Sequence, residues 1–414
     1  MAKAAERVGA IADQLQPSAA KTDLERHIAA AVESSELPQC VVFATNKNGT
    51  FFKYHAGFVS KHPGARPVKE DDIFQLASQT KLVTSIAALQ LVERGMIKLD
   101  DNVEHLIPEL AAQPILTGFD DDDKPITKKR QNTITLRILL THTAGCTYDG
   151  VDPLIMQWRD YHDQGPSKAG TIAERFGFPL LYEPGTKWSY GSAIDWAGLV
   201  LMRLTNKSLE EIFNENIFRP LGIKDATFFL ETRPDMAARM CKISFRNEDG
   251  GLDPYDLSNI NDGATECFGG QGMYASMSEY VKILHSIVKD DGKLLKPETR
   301  KIMFEPQLNE NLEKSLKHVM RGPTGAYFVG EYDLNLPANW GIGGLLFMAD
   351  DAGRRKKYTL QWSGMPNTYW IIDPTAELAL VFGTQVLMPG DRTVAKNITA
   401  VEKGVYKIAG VHMP

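Results

Sequence analysis

Two side chains with complementary chemistry stand three residues apart early in the chain, the hydroxyl of Ser78 and the amine of Lys81. Residues at this spacing share one face of a helix, with β-carbons about 5–6 Å apart. A serine hydroxyl is a poor nucleophile until a neighbouring base takes its proton, and an amine can be that base. The positive N-terminal end of a helix would also stabilise a developing oxyanion. The pair is therefore a candidate for a serine nucleophile with its base.

The same spacing recurs by chance, so the pair alone is weak. It occurs three times in the chain, at Ser18/Lys21, Ser78/Lys81 and Ser286/Lys289. The first copy precedes a helix expected to start at Thr22. The serine of the third copy falls inside an amphipathic helix, where we expect it to face solvent. Only Ser78 stands between a strand-like run at residues 73–77 and a long helical pattern, which is the context that a nucleophile motif needs.

A tyrosine and a late strand end supply candidate partners for the serine. Tyr190 precedes a helix predicted over residues 193–204, where a loop side chain can point into a cleft. Trp362 and Gly364 end a predicted strand, and the glycine would let a substrate lie against the strand edge. The backbone N–H of Met365 beyond it could bind an oxyanion. Each element also has an ordinary alternative, a tyrosine that caps a turn and a strand end with a buried tryptophan.

The pattern of elements predicts an α+β fold. Two strands at 39–45 and 50–56 are joined by the turn signal at 46–49. A mostly helical pattern then runs from residue 81 to about 284. Strands return late in the chain, at 340–349, 358–364, 368–373 and 377–385, before a closing helix at about 393–409.

Strands at both ends with helices between them predict one antiparallel sheet, built from both chain termini, flanked by helices and carrying an inserted, mostly helical domain. The predicted units are residues 1–80 plus 285–414 for the sheet domain and 81–284 for the helical domain. We expect the active site in the cleft between them, with loops 102–190 and 305–340 shaping it.

Composition excludes several classes of protein. A net charge of −6 argues against a nucleic-acid partner, which would require a basic face. Residues 1–22 lack the apolar core of a signal peptide, and no stretch is apolar enough to span a bilayer. The four cysteines are too widely spaced for a zinc or disulfide framework, so we expect a cytoplasmic protein without a metal. The basic cluster 354–357 is expected to be a solvated turn.

The three elements also occur in the order and contexts of a known family. Ser-x-x-Lys precedes a helix, Tyr-x-Ser lies in the helical part, and Trp-x-Gly ends a late strand. The chain resembles the class C β-lactamase superfamily, and more closely its family VIII esterase branch and the related fungal side-chain acyltransferases. Longer runs extend the resemblance over nearly the whole chain, at 76–82, 87–90, 134–143, 195–198, 220–223 and 266–272.

The resemblance implies specific roles. Ser78 would be the nucleophile, Lys81 its proton partner, and Tyr190 the general base that later acts as an acid toward the leaving group. The backbone N–H groups of Ser78 and Met365 would form the oxyanion hole, and no cofactor is implied. Lysine and tyrosine both ordinarily have pKa values near 10, so one must lose its proton more easily at neutral pH. The sequence leaves open which one does.

The resemblance also implies substrate contacts from Tyr148, Trp362 and Gly364. It makes His142 structural, because the family has no catalytic histidine. Ser192 replaces the asparagine of the β-lactamase Tyr-x-Asn motif, and Trp362 replaces the lysine of Lys-Thr-Gly. The second change removes a cation suited to the carboxylate of a β-lactam, so both departures favour an ester substrate.

We therefore expect an acyl-serine enzyme that cleaves esters or thioesters and passes the acyl group to water or to an acceptor alcohol. The resemblance places it in small-molecule or polyketide metabolism. Its partners would be a small-molecule acyl donor and an alcohol, without nucleic acid or membrane. An acyl-carrier protein as donor stays open. The alternatives are a D-amino-acid peptidase or amidase, a weak β-lactamase, and a non-catalytic binding relative.

Overall fold

A computed structural model of the chain describes residues 19–256 and 260–411. Its strands are β1 (Gln39–Asn46), β2 (Gly49–Gly57), β3 (Ile73–Gln75), β4 (Ile115–Phe119), β5 (Pro125–Lys128), β6 (Ala226–Thr227), β7 (Ser244–Arg246), β8 (Leu252–Pro254), β9 (Tyr274–Ser276), β10 (Ala338–Trp340), β11 (Leu345–Phe347), β12 (Leu360–Ser363), β13 (Tyr369–Asp373), β14 (Leu378–Gly383) and β15 (Val386–Leu387).

The α-helices are α1 (Ala19–Glu33), α2 (Thr80–Glu93), α3 (Pro108–Ala111), α4 (Leu136–Leu140), α5 (Pro153–Tyr161), α6 (Ile172–Phe176), α7 (Ala193–Thr205), α8 (Leu209–Phe213), α9 (Arg219–Leu221), α10 (Pro234–Ala237), α11 (Met277–Lys289), α12 (Pro297–Met303), α13 (Glu310–Arg321) and α14 (Arg392–Ile408).

The main sheet has seven strands in the order β10-β11-β12-β13-β14-β1-β2, and every neighbouring pair is antiparallel. The hairpin β1–β2 from the start of the chain joins the sheet through the pairing of β1 with β14, near the end of the chain. The predicted α+β fold, with a sheet built from both termini, is therefore confirmed. The division at residues 80 and 284 stays a prediction.

Both faces of this sheet are covered, and β1 shows how the sequence achieves this. Val41 and Phe43 pack into one hydrophobic core, while Val42 and Ala44 pack into a second. Successive side chains of a strand point to opposite faces, so the two cores lie on the two sides of the sheet. Helices α1 and α14 pack together over the second core, and α11 packs against β1 and β14. The stretch of β1 that contributes to both cores, residues 40–44, is accordingly apolar, and the polar Gln39 and Thr45 lie at its two ends.

One predicted strand is wrong in detail. In place of one strand at 340–349, β10 ends at Trp340 and β11 covers Leu345–Phe347, and the two pair with each other as a hairpin. The interruption is at Gly343, whose φ of +118° is a conformation that favours glycine. The other predicted strands of the sheet match the observed ones to within about two residues at each end.

The basic cluster at 354–357 is also misread by the sequence analysis, because Arg354 and Arg355 are buried instead of solvated. The Arg355 guanidinium donates to both oxygens of Glu402 in α14, at 2.8 and 2.7 Å. Arg354 donates to the same carboxylate at 2.8 Å, and so does the hydroxyl of Tyr369 at 2.9 Å. A buried charge needs such partners. Arg354 and Arg355 therefore stabilise the packing of the closing helix α14 against the sheet.

Replacing Glu402 with glutamine is expected to lower the free energy of unfolding by about 3 kcal/mol or more, because two buried guanidinium groups lose their shared anion. Burial opposes ionisation of Glu402, but Arg355 and Arg354 outweigh it and lower the pKa of this carboxyl. The carboxylate therefore stabilises the fold above the pKa of an unfolded glutamate, about 4.3, and its contribution is lost as the pH falls further.

Urea denaturation at neutral pH measures the loss, and the difference from wild type should shrink when it is repeated below about pH 4. Glu310→Gln is the matched control, because Glu310 is exposed and pairs with Lys314 on the helix surface. It should change stability by less than about 0.5 kcal/mol. If Glu402→Gln lowered the free energy of unfolding by less than about 1 kcal/mol, this ion-pair network would not stabilise the packing of α14.

Among residues 19–256 and 260–411, no helix combines the length and apolar character needed to cross a bilayer. Cys40, Cys146, Cys241 and Cys267 are all buried and unpaired.

Candidate active site

Ser78 lies on a tight turn between β3 and α2, as the sequence pattern predicts. β3 is held by pairing with β9, and a single 3₁₀ turn over Ala77–Gln79 leads from it into the helix. Ala77 has a φ of +45°, which costs a non-glycine residue about 1–2 kcal/mol. Such strain is characteristic of functional turns. It leaves Ser78 half-buried directly before the positive end of α2, where a developing oxyanion would be stabilised.

Lys81 is fully buried in the first turn of α2, although lysine is almost never buried without partners. Its Nζ donates to three oxygens: Ser78 Oγ at 3.0 Å, the Tyr148 hydroxyl at 3.0 Å and the Gly270 carbonyl at 2.7 Å. Residues Thr80–Leu91 of this helix are all buried, so packing on every side fixes the axis that carries the amine.

Tyr190 reaches the same serine from the other side. Its hydroxyl lies 2.6 Å from Ser78 Oγ and accepts a hydrogen bond from the indole Nε1 of Trp362 at 3.1 Å. Lys81 Nζ lies 4.8 Å from the centre of the Tyr190 ring, which allows a cation–π interaction. The structure thus brings Ser78, Lys81, Tyr190 and Trp362 into one cluster.

Aromatic rings enclose this cluster. The Tyr190 ring contacts those of His142, Tyr148, Trp188 and Trp362, with centroids 4.9–6.5 Å apart. These neighbours come from the loop 102–190 and from the end of β12.

Position 364 requires glycine, because the backbone after β12 closely approaches the backbone at Leu76. A β-carbon there would overlap the carbonyl oxygen of Leu76 and the hydroxyl of Thr368. The glycine therefore lets the end of β12 lie directly against the segment that leads to Ser78, and β12 contacts the 3₁₀ turn that carries this serine. This contact gives Gly364 a packing role that the sequence analysis did not foresee.

Tyr148 lies behind Lys81 and links it to a residue that the sequence analysis missed. Its hydroxyl accepts from Lys81 and donates to Asp195 Oδ2 at 3.3 Å. Burial, and then the charge of Asp195, raise the pKa of Tyr148 well above its usual range, so this hydroxyl stays neutral. Asp195 is fully buried in the first turn of α7, and burial raises its pKa to about 6 in spite of Lys81. Asp195 begins one of the runs that carry the family resemblance, 195–198, but the sequence analysis gave it no role.

His142 occupies a structural position. It is fully buried, and within the described part of the chain neither of its ring nitrogens has a hydrogen-bond partner. Burial, and then the charge of Lys81, lower its pKa well below the usual value, which keeps the ring neutral. Its ring packs edge-on against Trp340 at 5.2 Å. These contacts agree with the structural role that the resemblance implies.

The other copies of the motifs lie elsewhere. Ser286 is buried and donates to Asp291 at 2.7 Å, so the prediction that it faces solvent is wrong. Ser18 lies outside the described residues. The second Tyr-x-Ser, which starts at Tyr274, forms strand β9. Over the described ranges, no group of His, Cys, Asp and Glu side chains is arranged to hold a metal ion.

Comparison with known families gives a match to the β-lactamase family model over residues 24–402. The chain belongs to the β-lactamase family. Within that family it is 37% identical to monacolin J acid methylbutanoyltransferase of Aspergillus terreus, over 96% of this chain and 98% of that protein. It is also 37% identical to lovastatin esterase of Penicillium rubens, over 87% of this chain and 92% of that protein.

A solved structure gives the same assignment. The LovD6 mutant of simvastatin synthase (LovD) from Aspergillus terreus matches with a TM-score of 0.88 and 36% identity, covering 95% of this chain and 96% of that one. The resemblance to the β-lactamase family, the fold and the general activity predicted from the sequence are confirmed. This member of the family is an enzyme of the esterase and acyltransferase kind.

Proposed function

We propose that this enzyme moves a small acyl group from an ester or thioester donor to an acceptor alcohol through a covalent ester on Ser78. The observation that carries the proposal is the position of Ser78 Oγ, 2.6 Å from the Tyr190 hydroxyl and 3.0 Å from Lys81 Nζ. A nucleophile with a base in hydrogen-bond reach is the geometry that such chemistry requires.

In the first half-reaction, Ser78 Oγ attacks the acyl carbon and its proton passes to Tyr190. The bond between that carbon and the donor's oxygen or sulfur breaks, and Tyr190 returns the proton to the leaving group. In the second half-reaction, the acceptor hydroxyl gives its proton to Tyr190 and attacks the acyl carbon. Ser78 then leaves with the proton, so that the enzyme is regenerated.

The charge that develops on the acyl oxygen would be bound by the backbone N–H groups of Ser78 and Met365. Support for this placement comes from the contact of Gly364 with Leu76, which puts the two turns side by side. The N-terminal end of α2 adds positive potential. Removing one such donor in other enzymes costs about 10²–10³ in rate.

A neutral acyl donor fits the site better than a β-lactam. Trp362 stands where β-lactamases have a lysine, and its indole N–H is used by Tyr190. Phe328 lies 5.2 Å from the Trp362 ring, so this side of the site is apolar. Substrates whose recognition depends on a carboxylate near the serine therefore lack a partner there.

Hydrolysis is the second candidate, because one relative is named an esterase at the same identity as the methylbutanoyltransferase. Both reactions share the acyl-Ser78 intermediate and differ in whether an alcohol outcompetes water. We favour transfer of a short acyl chain, as in the relative's name, to an acceptor alcohol. An acyl-carrier protein as donor and a cytoplasmic location remain parts of the proposal, the second supported by the four unpaired cysteines.

Intact-mass spectrometry tests the proposal. Wild-type enzyme is mixed with p-nitrophenyl esters of increasing chain length and quenched in acid within the first turnovers. We expect a mass gain equal to one acyl group, located by peptide mapping on the peptide that contains Ser78. Added alcohols should divert product from the free acid to the ester. A wild-type enzyme that neither gains the acyl mass nor releases p-nitrophenol with any ester would overturn the proposal.

A further inference from the structure

The loop that carries Tyr190 is held by a serine from a helix more than a hundred residues away in the chain. Ser315 lies in the middle of α13, and its hydroxyl accepts the backbone N–H of Trp188 at 2.9 Å. The same hydroxyl donates to the carbonyl oxygen of Trp188 at 3.3 Å. One side chain therefore bonds to both backbone groups of the residue two positions before Tyr190.

Serine is not the residue that helix formation favours at this position. It is a poorer helix former than alanine, and a serine inside a helix often faces solvent or bonds to the carbonyl four residues earlier. Ser315 instead uses its hydroxyl for contacts with another element. The two hydrogen bonds to Trp188 therefore account for a serine at this position.

The helix that carries Ser315 is held in place by its own contacts. Leu312 and Leu316, on either side of the serine, are buried in the hydrophobic core. The side chain of Asn339 in β10 donates to Glu313, and α13 packs against this strand. Ser315 is therefore fixed relative to the main sheet.

The remaining contacts of the loop lead directly to the tyrosine. The backbone N–H of Ser189 donates to the carbonyl oxygen of His142 at 3.0 Å. The Tyr190 ring packs on the His142 ring at 4.9 Å and stacks with the Trp188 ring at 6.5 Å. With its ring and the backbone before it held in this way, Tyr190 places its oxygen 2.6 Å from Ser78 Oγ.

We propose that Ser315 is a positioning residue for the reaction, which sets the distance between the Tyr190 oxygen and Ser78 Oγ by fixing the backbone of Trp188. The inference rests on the proposed function, because it takes Tyr190 as the base. It assigns a role to a residue of α13, which lies outside the catalytic motifs and outside the longer runs that carry the family resemblance.

A small change in this distance should have a large effect on the rate. A base must lie within about 2.6–3.2 Å of the atom whose proton it takes. A misplacement of about 1 Å can cost about a hundredfold in rate. Loss of the Ser315 hydroxyl removes two restraints on Trp188 but leaves the ring contacts of Tyr190. We therefore expect a displacement of about 0.5 Å and a loss of about tenfold.

Ser315→Ala tests the inference by the rate of acylation. The variant should fold, because alanine is the better helix former and Leu312 and Leu316 are unchanged. The burst of p-nitrophenol should be slower by about tenfold, while the ester concentration that gives half the maximal rate stays the same. Ser315→Thr keeps the hydroxyl and should recover most of the rate.

A double variant shows whether the effect passes through the tyrosine oxygen. Ser315→Ala should slow the wild type but add nothing to Tyr190→Phe, because the oxygen to be positioned is then missing. Ser286→Ala is the matched control, since it removes another serine hydroxyl inside a helix, bonded to Asp291 at 2.7 Å. It should leave the rate of acylation unchanged.

Crystal structures of the wild type and Ser315→Ala give a readout that needs no turnover, the distance from the Tyr190 oxygen to Ser78 Oγ. The inference would be overturned by an unchanged distance, or by acylation within about twofold of wild type. It would also be overturned if the full loss persisted in Tyr190→Phe. A wild type inert toward esters would refute the proposed function, whereas a displaced tyrosine oxygen would still support the positioning role of Ser315.

Discussion

Ser78→Ala is expected to abolish the acyl adduct and to lower kcat for p-nitrophenyl esters by at least about four orders of magnitude. The hydroxyl is the atom that forms the covalent bond, and no other hydroxyl of the cluster is placed to replace it. Tyr190 and Tyr148 lie on either side, but the first bonds to Ser78 and the second is held between Lys81 and Asp195. The fold should be unaffected, because Ser78 is half-buried and alanine fits the turn.

Intact-mass spectrometry and initial rates measure both effects, and thermal unfolding checks the fold. Ser286→Ala is the matched control, since it removes the buried hydroxyl of another Ser-x-x-Lys copy in α11. It should retain the adduct and nearly all of the rate. An adduct of normal stoichiometry on Ser78→Ala would move the nucleophile to another residue.

Tyr190→Phe is expected to lower kcat by at least about two orders of magnitude, the usual contribution of general acid–base catalysis. The substitution keeps the ring that packs on His142 and Trp362, and it removes only the oxygen 2.6 Å from Ser78. Both acylation and deacylation should slow, because the same oxygen shuttles the proton in each step. Pre-steady-state release of p-nitrophenol separates the two rates.

The appropriate control is Tyr274→Phe, which deletes the buried hydroxyl of the second Tyr-x-Ser and should keep the rate within about twofold. The double variant Ser78→Ala/Tyr190→Phe should be no slower than Ser78→Ala alone, because residues that act as a unit are not additive. Near-normal acylation by Tyr190→Phe would reassign this tyrosine to packing, and Lys81 would become the base.

Local patterns were enough to find the elements that carry chemistry. The hairpin β1–β2, the strand–turn–helix around Ser78 and the late strands follow from period-2 and period-3.6 patterns with turn signals between them. The contexts of Ser78, Tyr190 and Trp362 also followed, because each lies at the end of an element that the pattern defines.

Contacts between distant parts of the chain could not be found in this way. Arg354 and Arg355 were misread because their partner, Glu402, lies in the distant closing helix α14. Asp195 lies in one of the runs that carry the family resemblance, but that run does not show its contacts with Tyr148 and Gly270. A local sequence pattern identifies polar residues, but it does not show which of them form hydrogen bonds or ion pairs with distant parts of the chain.

During synthesis, the turn that carries Ser78 leaves the ribosome long before β12 and the Gly364 that follows it. Strand β1 likewise cannot pair with its neighbour β14 until the end of the chain has been synthesised. At about 5–20 residues per second, the interval is on the order of tens of seconds. The Leu76–Gly364 contact, and with it the proposed pair of oxyanion donors, forms only when nearly the whole chain exists. The surroundings of Ser78 are therefore completed only at a late stage of folding, after β12 has joined the sheet.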